Sequence, residues 1–143
     1  MARIFITGTT DGLGRAAARA LIDEGHQVVL HARSRGRASA LDDLVPRSAG
    51  VVVGDLASAV ETRRVADQVN AIGRMDAVIH NAGISSTNGR SPTPEGHATI
   101  LAVNTLAPYV LTALIERPQR VVDLSSGMHR SGEATLRAID SLH

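Results

Sequence analysis

The sequence predicts an α/β fold in which helices cover both faces of one parallel sheet. Short β-branched runs alternate along the chain with longer Ala- and Arg-rich segments at helical spacing. The runs at residues 51–53 and 77–79 are continuously apolar, which is typical of strands buried on both faces. Right-handed crossovers between such strands give a doubly wound sheet, for which we expect the strand order 3-2-1-4-5.

The elements follow from local patterns, taken in chain order. The predicted strands are residues 3–7, 27–32, 50–54, 76–80 and 120–125. The predicted helices are residues 13–24, 39–44, 59–72, 97–115 and a last short one near 134–139. Gly25 and Gly73 mark the ends of the first and third helices, because glycine readily takes the conformation that closes a helix. The side chains of the first helix that we expect to face the core are Ala16, Ala17, Ala20 and Leu21.

Composition excludes several classes of protein. The chain has 143 residues, a net charge of +1 and no cysteine, so we expect one domain over residues 1–143 without disulfides or thiolate metal sites. The balanced charge and the scarcity of aromatic residues, Phe5 and Tyr109, argue against a nucleic-acid binder. Every basic residue is arginine, which excludes a phosphate-binding or Schiff-base lysine.

Residues 98–115 carry no formal charge and have the length of a membrane span. Asn104 and Pro108 within them favour a buried helix instead. No signal peptide is visible, and we expect a cytoplasmic protein without membrane contact. The histidines show no metal-ligand spacing, and we assign no metal site.

A glycine-rich turn, T-G-T-T-D-G-L-G at residues 7–14, lies between the first strand and the first helix. Glycines there allow a tight turn and let the backbone approach a pyrophosphate, while the helix N-terminus offers N–H groups and partial positive charge. Such turns also simply connect elements, so the position after the first strand matters. The candidate cofactor residues of this turn are Gly8, Thr10, Asp11, Gly12, Leu13 and Gly14.

With four further motifs in the right order, the turn resembles the cofactor fingerprint of the short-chain dehydrogenases/reductases. The matching motifs are Asp55-Leu56 after strand three, Asn81-Ala82-Gly83 after strand four, Asn104 in the uncharged helix, and Ser126 after Ser125 at the end of strand five. The resemblance covers about residues 3–130. It implies a Rossmann-type domain that binds NAD(P) in an enzyme reducing carbonyls or oxidising alcohols.

The resemblance assigns a role to each motif, and each residue also has an ordinary structural interpretation. Asp55 and Leu56 would contact the adenine, since a carboxylate accepts hydrogen bonds from an amino group, but Asp55 is equally suited to cap helix three. Gly83 would let the backbone pass the ribose, or it forms an ordinary turn. Asn104 would support a water chain behind the active site, or it is a core asparagine with satisfied hydrogen bonds.

The end of strand two favours NADP. NAD sites place an acidic residue there for the ribose 2′-hydroxyl, whereas an arginine accommodates a 2′-phosphate. This chain has Ala32 at the acidic position, and Arg33 follows it, with further arginines at 35 and 37. Some NADP-dependent members of the family carry a basic residue in the turn just before its second glycine, whereas this chain has Asp11 there. NAD therefore remains the alternative.

Ser126 is the candidate catalytic serine, whose hydroxyl would bind the substrate oxygen. The family's partner motif, Tyr-x-x-x-Lys, is absent: Ile139 occupies the usual tyrosine position, Tyr109 is interpreted as a packing residue, and there is no lysine. Residues 125–130 resemble a retinol-dehydrogenase-like subgroup with a longer loop after the serine. We therefore expect that the chain stops before the catalytic motif, lacks the family's C-terminal strands and helices, and is inactive alone.

Three hypotheses about function follow. The chain is the N-terminal part of an NADP-dependent oxidoreductase that reduces a carbonyl or oxidises an alcohol, or a non-catalytic NADP-binding or regulatory module, or a structural protein that binds no nucleotide. An uncovered strand five beside the uncharged helix would present unpaired backbone groups and apolar surface, so we also expect self-association.

Overall fold

The computed structural model describes residues 1–85, 91–132 and 135. Its strands are β1 (Arg3–Ile6), β2 (Gln27–Ala32), β3 (Gly50–Val53), β4 (Ala77–His80) and β5 (Arg120–Asp123). Its α-helices are α1 (Gly12–Asp23), α2 (Arg35–Ala38), α3 (Ala59–Ile72), α4 (Thr99–Leu101) and α5 (Ala107–Leu114). Each predicted strand is present, with shifts of up to two residues at some ends.

All strands are parallel, and their order across the sheet is β3-β2-β1-β4-β5, which confirms the prediction. In this order the chain leaves β1 in one direction for β2 and β3, and after α3 it returns to the other side of β1 for β4. The turns after β1 and β4 therefore meet at the carboxyl edge of adjacent strands, where open α/β sheets bind their ligands.

Alternate strand residues form two separate cores. Phe5, Val29 and Val78 face α3 and α5, whereas Ile4, Ile6 and Leu30 face α1 and the segment after β2. Both groups are almost completely buried. The sheet is thus covered by helices on both faces, as continuous apolar strands require.

The prediction of which face of α1 is buried was correct in part. Ala17 and Leu21 are partly buried and pack against the core, but Ala16 and Ala20 are exposed. The fully buried residues are Gly14, Ala18 and Ile22, spaced four apart. Alanine is too small and too weakly apolar to fix a helix face, so the close approach at Gly14 and the larger Ile22 decide it.

The short second helix begins at Arg35, earlier than predicted, because the Ser34 hydroxyl accepts a hydrogen bond from the Arg37 N–H and caps it. The predicted helix at 39–44 is replaced by a 3₁₀ turn, Ser39–Leu41, and a second 3₁₀ turn, Val45–Arg47, follows beyond its predicted end. The helix predicted near 134–139 lies outside the described residues, apart from residue 135.

The uncharged segment forms α4 and α5 joined by a π-helical turn, Ala102–Leu106. Only one face of it is buried: Leu111 is inaccessible, but Tyr109 is 74% exposed, so its prediction as a packing residue was wrong for this chain. Among the described residues no helix combines the length and hydropathy needed to cross a membrane.

Candidate functional site

A cavity of about 500 Å³ lies at the carboxyl edge of the sheet, within the size range of small-molecule sites. The structure places every residue predicted for the cofactor on its wall. These are Gly8, Thr10, Asp11, Gly12, Leu13, Gly14, Arg33, Asp55, Leu56, Asn81, Ala82 and Gly83. Residues that are up to 75 positions apart in sequence therefore meet around one opening.

The glycine-rich turn has the geometry of an anion site. Gly8 and Gly12 have φ angles of +70° and +55°, a region that favours glycine. A Cβ atom on Gly14 would lie closer than 3.0 Å to the Gly8 carbonyl oxygen and to Asn81 Nδ2, so only glycine fits there. Helix α1 begins without a side-chain cap and without an acidic residue in its first turn. Its N-terminus thus keeps hydrogen-bonding capacity and positive potential for an anion.

Asn81 holds the turn in place from the neighbouring strand. Its Nδ2 donates to the carbonyl oxygens of Thr7 (3.0 Å) and Gly8 (3.1 Å). In return, the Thr7 hydroxyl accepts from the backbone N–H groups of Asn81 and Ala82, both at 3.0 Å. These reciprocal bonds fix the two turns against each other, so the Asn81 side chain holds the cavity wall in place through the backbone of the glycine-rich turn.

The end of β2 brings two arginines to the wall of the cavity. Arg33 is exposed and lines it. Arg37 Nη2 lies 3.1 Å from Asp11 Oδ2 and 3.3 Å from Thr10 Oγ1. Asp11, the residue that departs from the NADP pattern, is therefore paired with a cation, and its negative charge is offset at the rim of the cavity.

Asp55 does not cap α3, contrary to the structural alternative considered for it. The cap is Ser58, whose hydroxyl accepts from the Glu61 N–H, whereas Asp55 Oδ1 accepts from the Ala57 N–H at 2.9 Å. This short-range bond fixes the turn after β3, and Asp55 and Leu56 remain on the cavity wall.

His31, which the sequence analysis did not single out, also lines the cavity. It is 2% exposed, and its ring contacts backbone groups of two different turns. Burial lowers the pKa of its imidazole, and the hydrogen bond to Gly54 and the charge of Asp55 oppose that effect. The available signal was a histidine inside an otherwise apolar strand, where a polar ring needs hydrogen-bond partners.

Asn104 and Ser126 do not line the cavity. Asn104 makes both of its amide bonds to the backbone of Ile84, accepting from its N–H at 2.9 Å and donating to its carbonyl at 3.0 Å. Because Ile84 lines the cavity, Asn104 shapes its wall indirectly. Ser126 is exposed, and its hydroxyl accepts from the Met128 N–H at 3.2 Å.

His80 at the end of β4 is buried, and its Nε2 lies 3.0 Å from Thr112 Oγ1. Its Nδ1 has no partner among the described residues. Burial lowers the pKa of this imidazole, and the nearby Asp123 opposes the shift. Its side chain therefore joins β4 to α5 and lies outside the cavity.

A parallel sheet in this order with a glycine-rich, uncapped helix N-terminus at its carboxyl edge defines a Rossmann-type nucleotide-binding domain. The model of the short chain dehydrogenase family matches residues 2–129. The chain belongs to this family.

Known relatives agree with that assignment. The whole chain aligns with an uncharacterized oxidoreductase of Emericella nidulans, at 46% identity over 146 residues and 57% of that protein's length. The chain spans about half the length of the curated relatives that it matches.

Solved structures share the fold. A crystal structure of an uncharacterized protein from Mycobacterium paratuberculosis aligns with 98% of this chain, and the alignment covers 52% of that protein's chain. The TM-score is 0.77 and the sequence identity is 30%. A gluconate 5-dehydrogenase from Burkholderia cenocepacia, crystallised with NADP and tartrate, aligns with 80% of this chain, and the alignment covers 47% of that enzyme's chain. The TM-score is 0.63 and the sequence identity is 25%.

Proposed function

We propose that this chain is the NADP(H)-binding part of a short-chain oxidoreductase that reduces small carbonyl compounds or oxidises the corresponding alcohols. One observation carries the proposal. The glycine-rich turn, closed to any larger side chain at Gly14, presents the uncapped N-terminus of α1 to a cavity that all the candidate cofactor residues line. The family membership and the NADP complex of a similar dehydrogenase support the same cofactor class.

The residues of the cavity fit a dinucleotide. The start of α1 suits the pyrophosphate, because its N–H groups and dipole favour an anion. Asp55 and Leu56 suit the adenine, since the carboxylate accepts hydrogen bonds and the leucine offers an apolar surface. When bound, the nicotinamide ring supplies hydride transfer, which no side chain can provide.

The choice of NADP over NAD rests on Arg33. Its exposed guanidinium lies at the end of β2 on the cavity wall, the position that distinguishes the two cofactors in this fold. A planar guanidinium binds a phosphate with paired, charge-assisted hydrogen bonds. Because Arg37 pairs with Asp11, the acid in the turn opposes a 2′-phosphate less than an unpaired carboxylate would.

For catalysis we propose that Ser126 binds the substrate oxygen and that Asn104 positions the wall of the site through Ile84. Proton transfer needs a further group, since Tyr109 is the one tyrosine of this sequence and lies on α5, and the sequence has no lysine. An ordinary phenol has a pKa near 10 and needs an adjacent cation to act at neutral pH. We therefore expect this chain to bind NADP(H) without turning over substrate.

The test is a fluorescence titration of the chain with NADPH and with NADH. Loss of a charge-assisted bond of about 1.5 to 3 kcal/mol predicts that Arg33→Ala weakens NADPH binding roughly 10- to 100-fold and leaves NADH binding nearly unchanged. Arg35→Ala is the matched control. It removes the same charge only two residues from Arg33, but the Arg35 side chain does not line the cavity. Equal affinity of the wild-type chain for both cofactors would refute the NADP assignment, and binding of neither would refute the function.

A further inference from the structure

The His31 ring connects two turns that lie on opposite sides of its own strand. Its Nδ1 accepts a hydrogen bond from the Gly8 N–H at 2.9 Å, and its Nε2 lies 2.8 Å from the Gly54 carbonyl oxygen. Gly8 opens the glycine-rich turn after β1, and Gly54 follows β3 directly before Asp55. The imidazole therefore bridges the turn suited to the pyrophosphate and the turn suited to the adenine.

These contacts define one protonation state. Gly8 offers an N–H, so Nδ1 must carry a lone pair, and Gly54 offers a carbonyl, so Nε2 must carry the proton. A doubly protonated ring would direct an N–H at the N–H of Gly8 and break that bond. Burial favours the neutral form, because a charged imidazole at 2% exposure loses most of its hydration.

The surroundings fix the ring as well as its backbone. The Thr9 hydroxyl donates to the His31 carbonyl and accepts from the His31 N–H, both at 2.9 Å. Phe5 meets the imidazole edge to face with ring centroids 6.4 Å apart. With its backbone fixed by Thr9 and its ring in contact with Gly8, Gly54 and Phe5, His31 holds the two turns at a fixed separation.

We propose that His31 is a positioning residue of the dinucleotide site, which holds Gly8 and Gly54 at the separation that one ligand spanning both turns requires. This inference rests on the proposed nucleotide-binding function. It predicts that His31 matters for a ligand that contacts both turns and matters little for a fragment that contacts Arg33 and the turn after β3 but does not reach the glycine-rich turn.

The two classes of ligand are NADPH, which spans both turns, and adenosine 2′-monophosphate, which reaches only the adenosine end. In His31→Ala both ring bonds are lost, and we expect NADPH to bind at least about tenfold more weakly while the monophosphate changes less than about twofold. His31→Asn keeps an acceptor near the Nδ1 position, and we expect it to recover part of the NADPH affinity. His31→Gln keeps a donor near the Nε2 position and reports on the Gly54 bond alone.

The matched control is His26→Asn. The His26 Nδ1 accepts from the Ala2 N–H at 3.0 Å, so it makes a similar bond, but it does so at the opposite edge of the sheet. Circular dichroism establishes that each variant is folded, and the asparagine and glutamine variants decide the question if the alanine variant is not. We expect the His26 variant to bind NADPH as the wild-type chain does.

A ligand-free measurement makes the test independent of affinity. Nitrogen-15 spectra of histidine-labelled chain report which ring nitrogen is protonated, and we expect a neutral His31 with the proton on Nε2. A proton on Nδ1, an unchanged NADPH affinity in His31→Ala, or equal weakening of both ligands would each overturn the positioning role. A wild-type chain that binds neither NADPH nor NADH would instead overturn the proposed function and this inference with it.

Discussion

Replacement of Gly14 by alanine tests whether the close approach of the turn to α1 is needed for nucleotide binding. The added Cβ would meet the Gly8 carbonyl oxygen, the Asn81 amide and, at 3.0 Å, the Gly8 carbonyl carbon. Two of these atoms belong to backbone that cannot rotate away, and the amide is held by its bonds to Thr7 and Gly8. The turn must therefore move away from the helix.

The expected loss of stability is modest. Overpacking a tight site costs about 1 to 3 kcal/mol, and alanine regains about 1 kcal/mol over glycine in a helix. The net loss of about 0 to 2 kcal/mol corresponds to a fall in Tm of at most roughly 8 °C for a domain near this size. Urea unfolding followed by circular dichroism measures it, and the m value shows whether the folded state stays compact.

The expected loss of affinity is larger, because a displaced turn no longer directs its N–H groups at one phosphate. Losing a single bond to a charged group costs about 1.5 to 3 kcal/mol, or roughly 10- to 100-fold in the Kd for NADPH. Gly25→Ala is the control, because Gly25 lies beyond the other end of α1. A Cβ there would meet no atom within 4 Å, but its φ of +90° makes the substitution strained. It should lose about 1 to 2 kcal/mol of stability and keep its affinity.

An anion site at the start of α1 requires that Gly14→Ala bind NADPH much more weakly than Gly25→Ala. A Gly14→Ala chain that binds NADPH within about threefold of the Gly25→Ala chain would show that the turn tolerates the methyl group. The uncapped helix N-terminus would then not be the anion site.

Three further predictions concern pH, Asn104 and association. His31 and His80 have pKa values lowered by burial, so below about pH 6.5 the unfolded chain binds more protons than the folded chain. The free energy of unfolding from urea titrations should therefore fall as pH falls through this range, by at most about 2.7 kcal/mol per pH unit, and a flat profile from about pH 7 to 5 would contradict this. Asn104→Ala frees the Ile84 backbone, so hydrogen exchange at the Ile84 amide should accelerate while global stability falls by no more than about 2 kcal/mol; unchanged exchange would show that the side chain does not hold this turn. The exposed Tyr109, Val121 and Leu124 on and beside α5 and β5 predict self-association at micromolar concentration in sedimentation velocity, and a single monomer boundary at all concentrations would exclude it.

The sequence was sufficient to predict the sheet and the cavity wall because both depend on repeated, strongly determined patterns. Continuous apolar runs fixed the strands, and crossover handedness left few possible orders. The boundaries of β2 and α3 agree with the structure to the residue, and Ser58 and Gly73 mark those of α3. The turns then had to meet at the carboxyl edge.

Other features depend on contacts that no local pattern reveals. The buried face of α1 is set by the space at Gly14, and the role of His31 is set by two turns far from it in sequence. The π-helical turn before α5 has no sequence signature, because it differs from an α-helix only in which carbonyl each N–H selects. Ser126 follows β5 as predicted, but the cavity does not extend to it.

The bond between Asn81 and Thr7 joins residues 74 positions apart, and this has a consequence for synthesis on the ribosome. At about 5 to 20 residues per second, translation needs roughly 4 to 15 s to proceed from one partner to the other, and the exit tunnel delays their meeting further. Throughout that interval the nascent glycine-rich turn lacks the strand that fixes it. Capture of a nucleotide by ribosome-bound chains of increasing length should therefore begin abruptly, once β4 has emerged and inserted beside β1.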